Sequence, residues 1–154
     1  MKRFFLPLAL LIGAPSMSVA QTQPANVVAG QILNAFVARD VAQIARFSNA
    51  QNASFFGDVL AGEQDDALVF NGIEGRAAAN WDGSVLPVRY DDNGRAIIPY
   101  AIEASPEALS LNSGADGRLI VLRLSLDGAG DDSWGLDDLR IMPRDRYTAL
   151  PASR

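Results

Sequence analysis

The sequence predicts an α+β domain in which N-terminal helices pack on a curved, mainly antiparallel sheet. Three observations predict it. Apolar residues recur at helical spacing after an N-terminal leader, and the period changes to two from Val85 onward. Between two of the alternating runs stands Asn93-Gly94, a strong short-range signal for a hairpin.

The leader, residues 1–20, has the parts of a secretory signal peptide in order. Lys2 and Arg3 supply positive charge, an apolar run follows over 4–12, and Gly13 and Pro15 break it. Ser18-Val19-Ala20 places small residues at −3 and −1, so cleavage is expected between Ala20 and Gln21. The run is too short to cross about 30 Å of hydrocarbon at about 1.5 Å per residue. No Cys follows it to carry a lipid anchor. The mature chain is therefore expected in the periplasm or secreted, with no membrane span after processing. It reads as one α+β domain over 21–142 followed by a flexible tail over 143–154.

The first helix is expected over 24–39. Pro24 suits a first turn, and Val28, Ile32, Leu33, Phe36 and Val37 supply the apolar stripe. Asp40 can cap a short second helix with Val41, Ile44 and Phe47 as its apolar positions. The Asn-rich stretch 48–54 reads as a loop, 55–60 as a third helical stretch, and 62–84 has no readable period. Strands are expected at 85–90 and 95–103. With Asn93 and Gly94 as a two-residue turn, Tyr90 pairs with Ile97, and Leu86, Val88, Tyr90, Ile97 and Ala101 share a face. Pro87 and Pro99 lack an N–H and call for an edge or a bulge.

After a polar loop, 118–126 alternates with Ile120, Leu122, Leu124 and Leu126 on one face. A turn is expected at 127–133, and the last strand at 134–142. Trp134 and Leu136 are in one phase of that strand, and Leu139 and Ile141 in the other. The slip at Asp137-Asp138 suggests a β-bulge.

On these residues the chain resembles the nuclear transport factor 2-like (cystatin-like) superfamily. The similar opening is Gln31-Ile32-Leu33-Asn34-Ala35-Phe36 through Arg39-Asp40-Val41-Ala42-Gln43-Ile44-Ala45, a long helix running into a short one through a polar-Asp step. The similar ending is the apolar strand 119–126, then Trp134-Gly135-Leu136 and Leu139-Arg140-Ile141. The resemblance covers about a third of the chain and implies a cone with an apolar pocket. The chain departs from it at 62–84, where that superfamily places another helix or strand.

Composition narrows the chemistry. Cysteine and histidine are absent, which excludes disulfides, thiolate nucleophiles, Cys/His zinc sites and Ser-His triads. Removing residues 1–20 takes away the sole lysine and moves the formal charge from −5 to −7, against nucleic acid as a partner. Arg-only usage with Ala/Asp richness fits a GC-rich bacterial genome. Arg140, Arg144 and Arg146 are interleaved with Asp137, Asp138 and Asp145 and read as self-neutralising. No phosphate-binding or dinucleotide motif occurs. Asp127, Asp131, Asp132, Asp137 and Asp138 could supply oxygen ligands to Ca²⁺, but their spacing is not that of an EF-hand and suits turn formers. Asn52-Ala53-Ser54 matches an acceptor for N-glycosylation, and in a bacterial chain reads as chance.

No catalytic residue, cofactor or metal ligand is nominated. Phe36, Tyr90, Tyr100 and Trp134 are the candidate pocket lining. The expected function is an exported module that binds an apolar small molecule or an envelope protein. The alternatives are a small cone-fold enzyme using Asp/Tyr acid–base chemistry and an accessory subunit of an envelope complex.

Overall fold

The computed structural model describes residues 23–103, 117–126 and 133–154. The expected signal peptide with its cleavage point, the polar loop after Glu103, and the turn residues Asp127, Asp131 and Asp132 lie outside the described residues.

Helix α1 (Ala25–Val37) starts where Pro24 expects it, and the Pro24 carbonyl accepts from the N–H groups of Val27 and Val28. Its buried stripe is Ala25, Val28, Ala29, Ile32, Leu33, Ala35 and Phe36. Val37 falls off that stripe and is exposed. The helix ends in a Schellman arrangement, Asp40 N–H to Ala35 O and Arg39 N–H to Phe36 O, with Arg39 itself at φ 53°. Asp40 then caps α2 (Val41–Arg46) as expected, its carboxylate accepting from Gln43 N–H at 3.0 Å.

The expected loop at 48–54 is mostly helix. Asn49 accepts from Asn52 N–H and starts α3 (Ala50–Ala61), which absorbs the third helical stretch and stops at Gly62 with φ 77°. An Asn-rich run reads as loop by composition, yet one Asn in the N-cap position is a helix start. The unreadable stretch contains α4 (Ala67–Phe70) and α5 (Ile73–Ala79), each too short to display a 3.6-residue period.

Among the described residues the sheet is a four-stranded antiparallel meander, open and curled, in the order β1 (Arg89–Tyr90), β2 (Ala96–Glu103), β3 (Arg118–Ser125), β4 (Gly135–Pro143). Helices on this sheet make the α+β class. Only two residues of the expected strand 85–90 pair as a strand.

The hairpin register differs from expectation by one residue. Tyr90 pairs with Ala96 and Arg89 with Ile97. Gly94 N–H donates to Asp91 O, Asp91 N–H to Arg95 O, and Gly94 has φ 71°, which makes a three-residue loop. The cause is Asp91, whose carboxylate accepts from the N–H groups of Asn93 and Arg95 and draws the turn one residue earlier. Since side chains alternate, the shift moves Ile97 to the opposite face from Tyr90.

The sheet buries residues on both faces. Ala96, Ile98, Tyr100, Ile120, Leu122, Leu124, Trp134 and Leu136 pack with α1 and its neighbours, while Ile97, Leu119, Val121 and Met142 form a second cluster. Pro99 lies next to a register irregularity in β2, and a second one in β4 leaves Asp137 between the pairs Arg123–Asp138 and Leu124–Leu136. Both bulges fall where the sequence suggested them.

The expected frayed tail at 143–154 is instead ordered on the second face. Arg144–Ala149 is a helix, α6, and its Tyr147 is buried on Ile97, Leu119, Val121 and Met142. Tyr147 donates its hydroxyl proton to Pro87 O, Arg89 donates to Leu150 O at 2.8 Å, and Tyr90 N–H donates to Pro151 O at 3.0 Å. Arg154 then lies over the Trp134 ring at 5.4 Å. One aromatic anchor in a polar run gives no periodic signal.

Candidate functional site

A cleft of about 260 Å³ opens between the helical layer and β4. Phe36 of α1 and Phe55 and Phe56 of α3 form one wall, Leu68 and Val69 of α4 the rim, and Leu136 and Leu139 of β4 the other wall. Phe56 and Val69 are nearly buried, whereas Leu68 is 64% exposed at the mouth. Such an apolar side chain at the edge of a concave surface is a common mark of a binding cleft.

Close backbone contact shapes the rim. A Cβ on Gly75 would stand 2.1 Å from the Val69 carbonyl oxygen, so only glycine lets α5 approach α4 this closely. That approach sets Glu74, in the first turn of α5, on the cleft. Nearby, the Tyr100 hydroxyl donates to the Glu74 carbonyl at 2.9 Å. Burial pushes the Tyr100 hydroxyl pKa well above the ordinary tyrosine value, and the Glu74 charge pushes it further.

The β4 side of the cleft is locked to the start of α3. Leu136 N–H donates to Phe47 O, and Asn49 N–H donates to Leu136 O. The Asn49 amide donates to Asp137 Oδ1 at 3.0 Å, and the Asn52 amide donates to the carbonyls of Leu136 and Asp137. Asn52 is thus a structural residue tied into the sheet.

Asp137 and Asp138 border the cleft, and their carboxylates belong to an alternating row of charges. Asp91 pairs with Arg95, Arg95 and Arg123 with Asp137, and Arg123 and Arg140 with Asp138. The self-neutralising arrangement expected around Arg140 is present between Arg140 and Asp138. It extends to Arg95 and Arg123, partners from other strands that linear spacing does not show. Among the described residues no cluster of acidic side chains could hold a metal ion. The expectation for Ca²⁺ at Asp127, Asp131 and Asp132 lies outside them.

The four aromatic residues nominated from sequence do not converge. Phe36 is on the cleft. Tyr100 borders a second depression, about 360 Å³, along Asp82, Ser84, Val85, Leu86, Pro99 and Ala101. Tyr90 and Trp134 pack on each other, ring centroids 6.2 Å apart.

No protein-family model matches the chain, and neither a curated protein nor a solved structure matches it. Its chemistry has to be read from its own residues. Phe55, Phe56, Leu68, Val69 and Glu74 were not singled out in the sequence. Adjacent phenylalanines at 55 and 56 were a usable signal, because neighbours on a helix cannot both point to the core centre.

Proposed function

We propose that this chain is an exported binding module whose cleft receives an apolar group of a small molecule or of a partner protein. The observation that carries this reading is the concave apolar surface between α3, α4 and β4, with Leu68 exposed at its mouth. Its volume is just below the range of about 300–1,000 Å³ usual for drug-sized ligands, so a short chain or a single bulky group is the fitting occupant. No helix among the described residues is long and apolar enough to cross a membrane. A processed protein beginning at Gln21 is part of the proposal, and intact mass of the protein recovered from a periplasmic extract checks it.

The cone fold of the nuclear transport factor 2-like superfamily remains our reading of the architecture. It is supported by helices preceding a curled antiparallel sheet and by α4 and α5 in the stretch where that superfamily has another element. The alternative of acid–base catalysis is less favoured. Asp137 and Asp138 each face two arginines, which hold their Oδ2 atoms in ion pairs, and Asp137 Oδ1 accepts from the Asn49 amide, so these carboxylates serve the charge row of the sheet.

The test is an amide chemical-shift titration with 1-octanol. Saturable shifts at Phe55, Phe56, Val69 and Leu139 are expected, weakened about tenfold or more in Leu68→Asp. Shifts scattered over the molecule, or unaffected by that substitution, would overturn the cleft reading.

A further inference from the structure

Glu74 carries the inference. It is half-buried on the rim that Leu68 and Val69 form, and among the described residues its carboxylate has neither an ion pair nor a hydrogen-bond donor. The other two carboxylates bordering the cleft are matched by Arg95, Arg123 and Arg140. Among the described residues no lysine or arginine lines the cleft to oppose Glu74. A carboxylate beside apolar walls, without a protein cation, has a local negative potential that a bound positive group would relieve.

We propose that the cleft prefers an apolar group bearing a cationic head, an amine or guanidinium, with the apolar part between Phe55 and Leu139 and the cation at Glu74. This deepens the binding reading above and rests on it. The Gly75 contact with Val69 supports it, because it fixes the start of α5 and so places the carboxylate at the rim. Anionic amphiphiles meet the same charge as repulsion, and the overall acidic balance of the chain adds to the discrimination.

The experiment compares three probes with one chain length, octylammonium, 1-octanol and octanoate, titrated into the purified protein at neutral pH and low salt. The expected result is octylammonium binding about fivefold or more tighter than octanoate, with octanol between them. Glu74→Gln should remove that order while octanol affinity stays within about twofold. Asp92→Asn, an exposed hairpin carboxylate, changes net charge equally and should preserve it. Equal affinity for the two charged probes, or loss of the preference in Asp92→Asn as well, overturns the cationic inference and leaves the apolar cleft standing. Failure of all three probes to bind overturns the cleft reading itself, and the inference with it.

Discussion

Two glycines in helices of this chain should respond oppositely to the same methyl group. Gly30, inside α1, has no described residue within 4 Å of a would-be Cβ, so Gly30→Ala is expected to stabilise by about 0.5–1 kcal/mol through helix propensity. Gly75 meets the Val69 carbonyl at 2.1 Å, so Gly75→Ala forces α4 and α5 apart and should cost about 1–3 kcal/mol or more. Urea denaturation of both variants checks the signs. A further expectation concerns Gly94, at φ 71° in the hairpin loop with Arg154 packed beside it. Gly94→Val should destabilise by about 1 kcal/mol or more, read as a lower melting temperature. The need for glycine at 94 was visible from Asn93-Gly94. That at 75 was not, because a close approach between two short helices is a tertiary fact.

At the scale of elements, legibility followed length and period. Helix α1 carries enough apolar residues to fix both type and buried face, strand β3 enough to fix its type and its helical-side face though not the burial of Leu119 and Val121 opposite, and Asp40 announces α2 through its capping chemistry. The hairpin shows the limit. Its existence was readable, but its register depended on which side chain wins the turn amides, and Asp91 won. The row of charges from Asp91 to Arg140 was half-legible for the same reason, since cross-strand neighbours depend on register.

Asp91 also gives a pH dependence. Burial pushes its carboxyl pKa up, but hydrogen bonds from Arg95 and Asn93 and the Arg95 charge outweigh that and hold it below the usual value. A depressed folded pKa stabilises above the unfolded value, near pH 4, and that contribution is lost as pH falls through the folded pKa. Asp91→Asn should therefore lower stability at pH 7 and flatten the loss of stability between about pH 4 and pH 2. Thermal melts of both proteins across that range are the measurement, and parallel pH profiles would count against this role.

Among the described residues the sheet is buried on two sides by unequal partners. The α1 side is covered by a layer of helices, the other by the C-terminal run with one aromatic side chain. Tyr147→Ala removes a ring that is 4% exposed together with its hydrogen bond to Pro87 O. It should cost about 3–5 kcal/mol, the range for large aromatic truncations. Ending the chain at Met142 should be worse, baring Ile97, Leu119 and Val121 at once, with self-association in size-exclusion chromatography as the sign. A monomer of unchanged melting temperature would show that the second face does not need its cover. The nominated pocket was partly legible on this scale. Phe36, Tyr90, Tyr100 and Trp134 all lie on the helical side of the sheet, but Phe36 lines the cleft, Tyr100 borders the second depression, and Tyr90 and Trp134 pack on each other.

The tie between Asn52 and β4 bears on how the protein can be produced. Sugar transfer in a eukaryotic secretory pathway acts on a chain still emerging, before Asn52-Ala53-Ser54 has a sheet to bind. A glycan attached then would replace one of the amide hydrogens that the folded protein gives to the Leu136 and Asp137 carbonyls, and would have to lie where α3 meets the strand. Yeast or mammalian secretion should therefore yield two populations, an unmodified folded fraction and a glycosylated fraction retained as misfolded. Asn52→Gln would prevent modification without restoring the short reach of the native amide. A host that does not glycosylate this sequon is the suitable one for this chain.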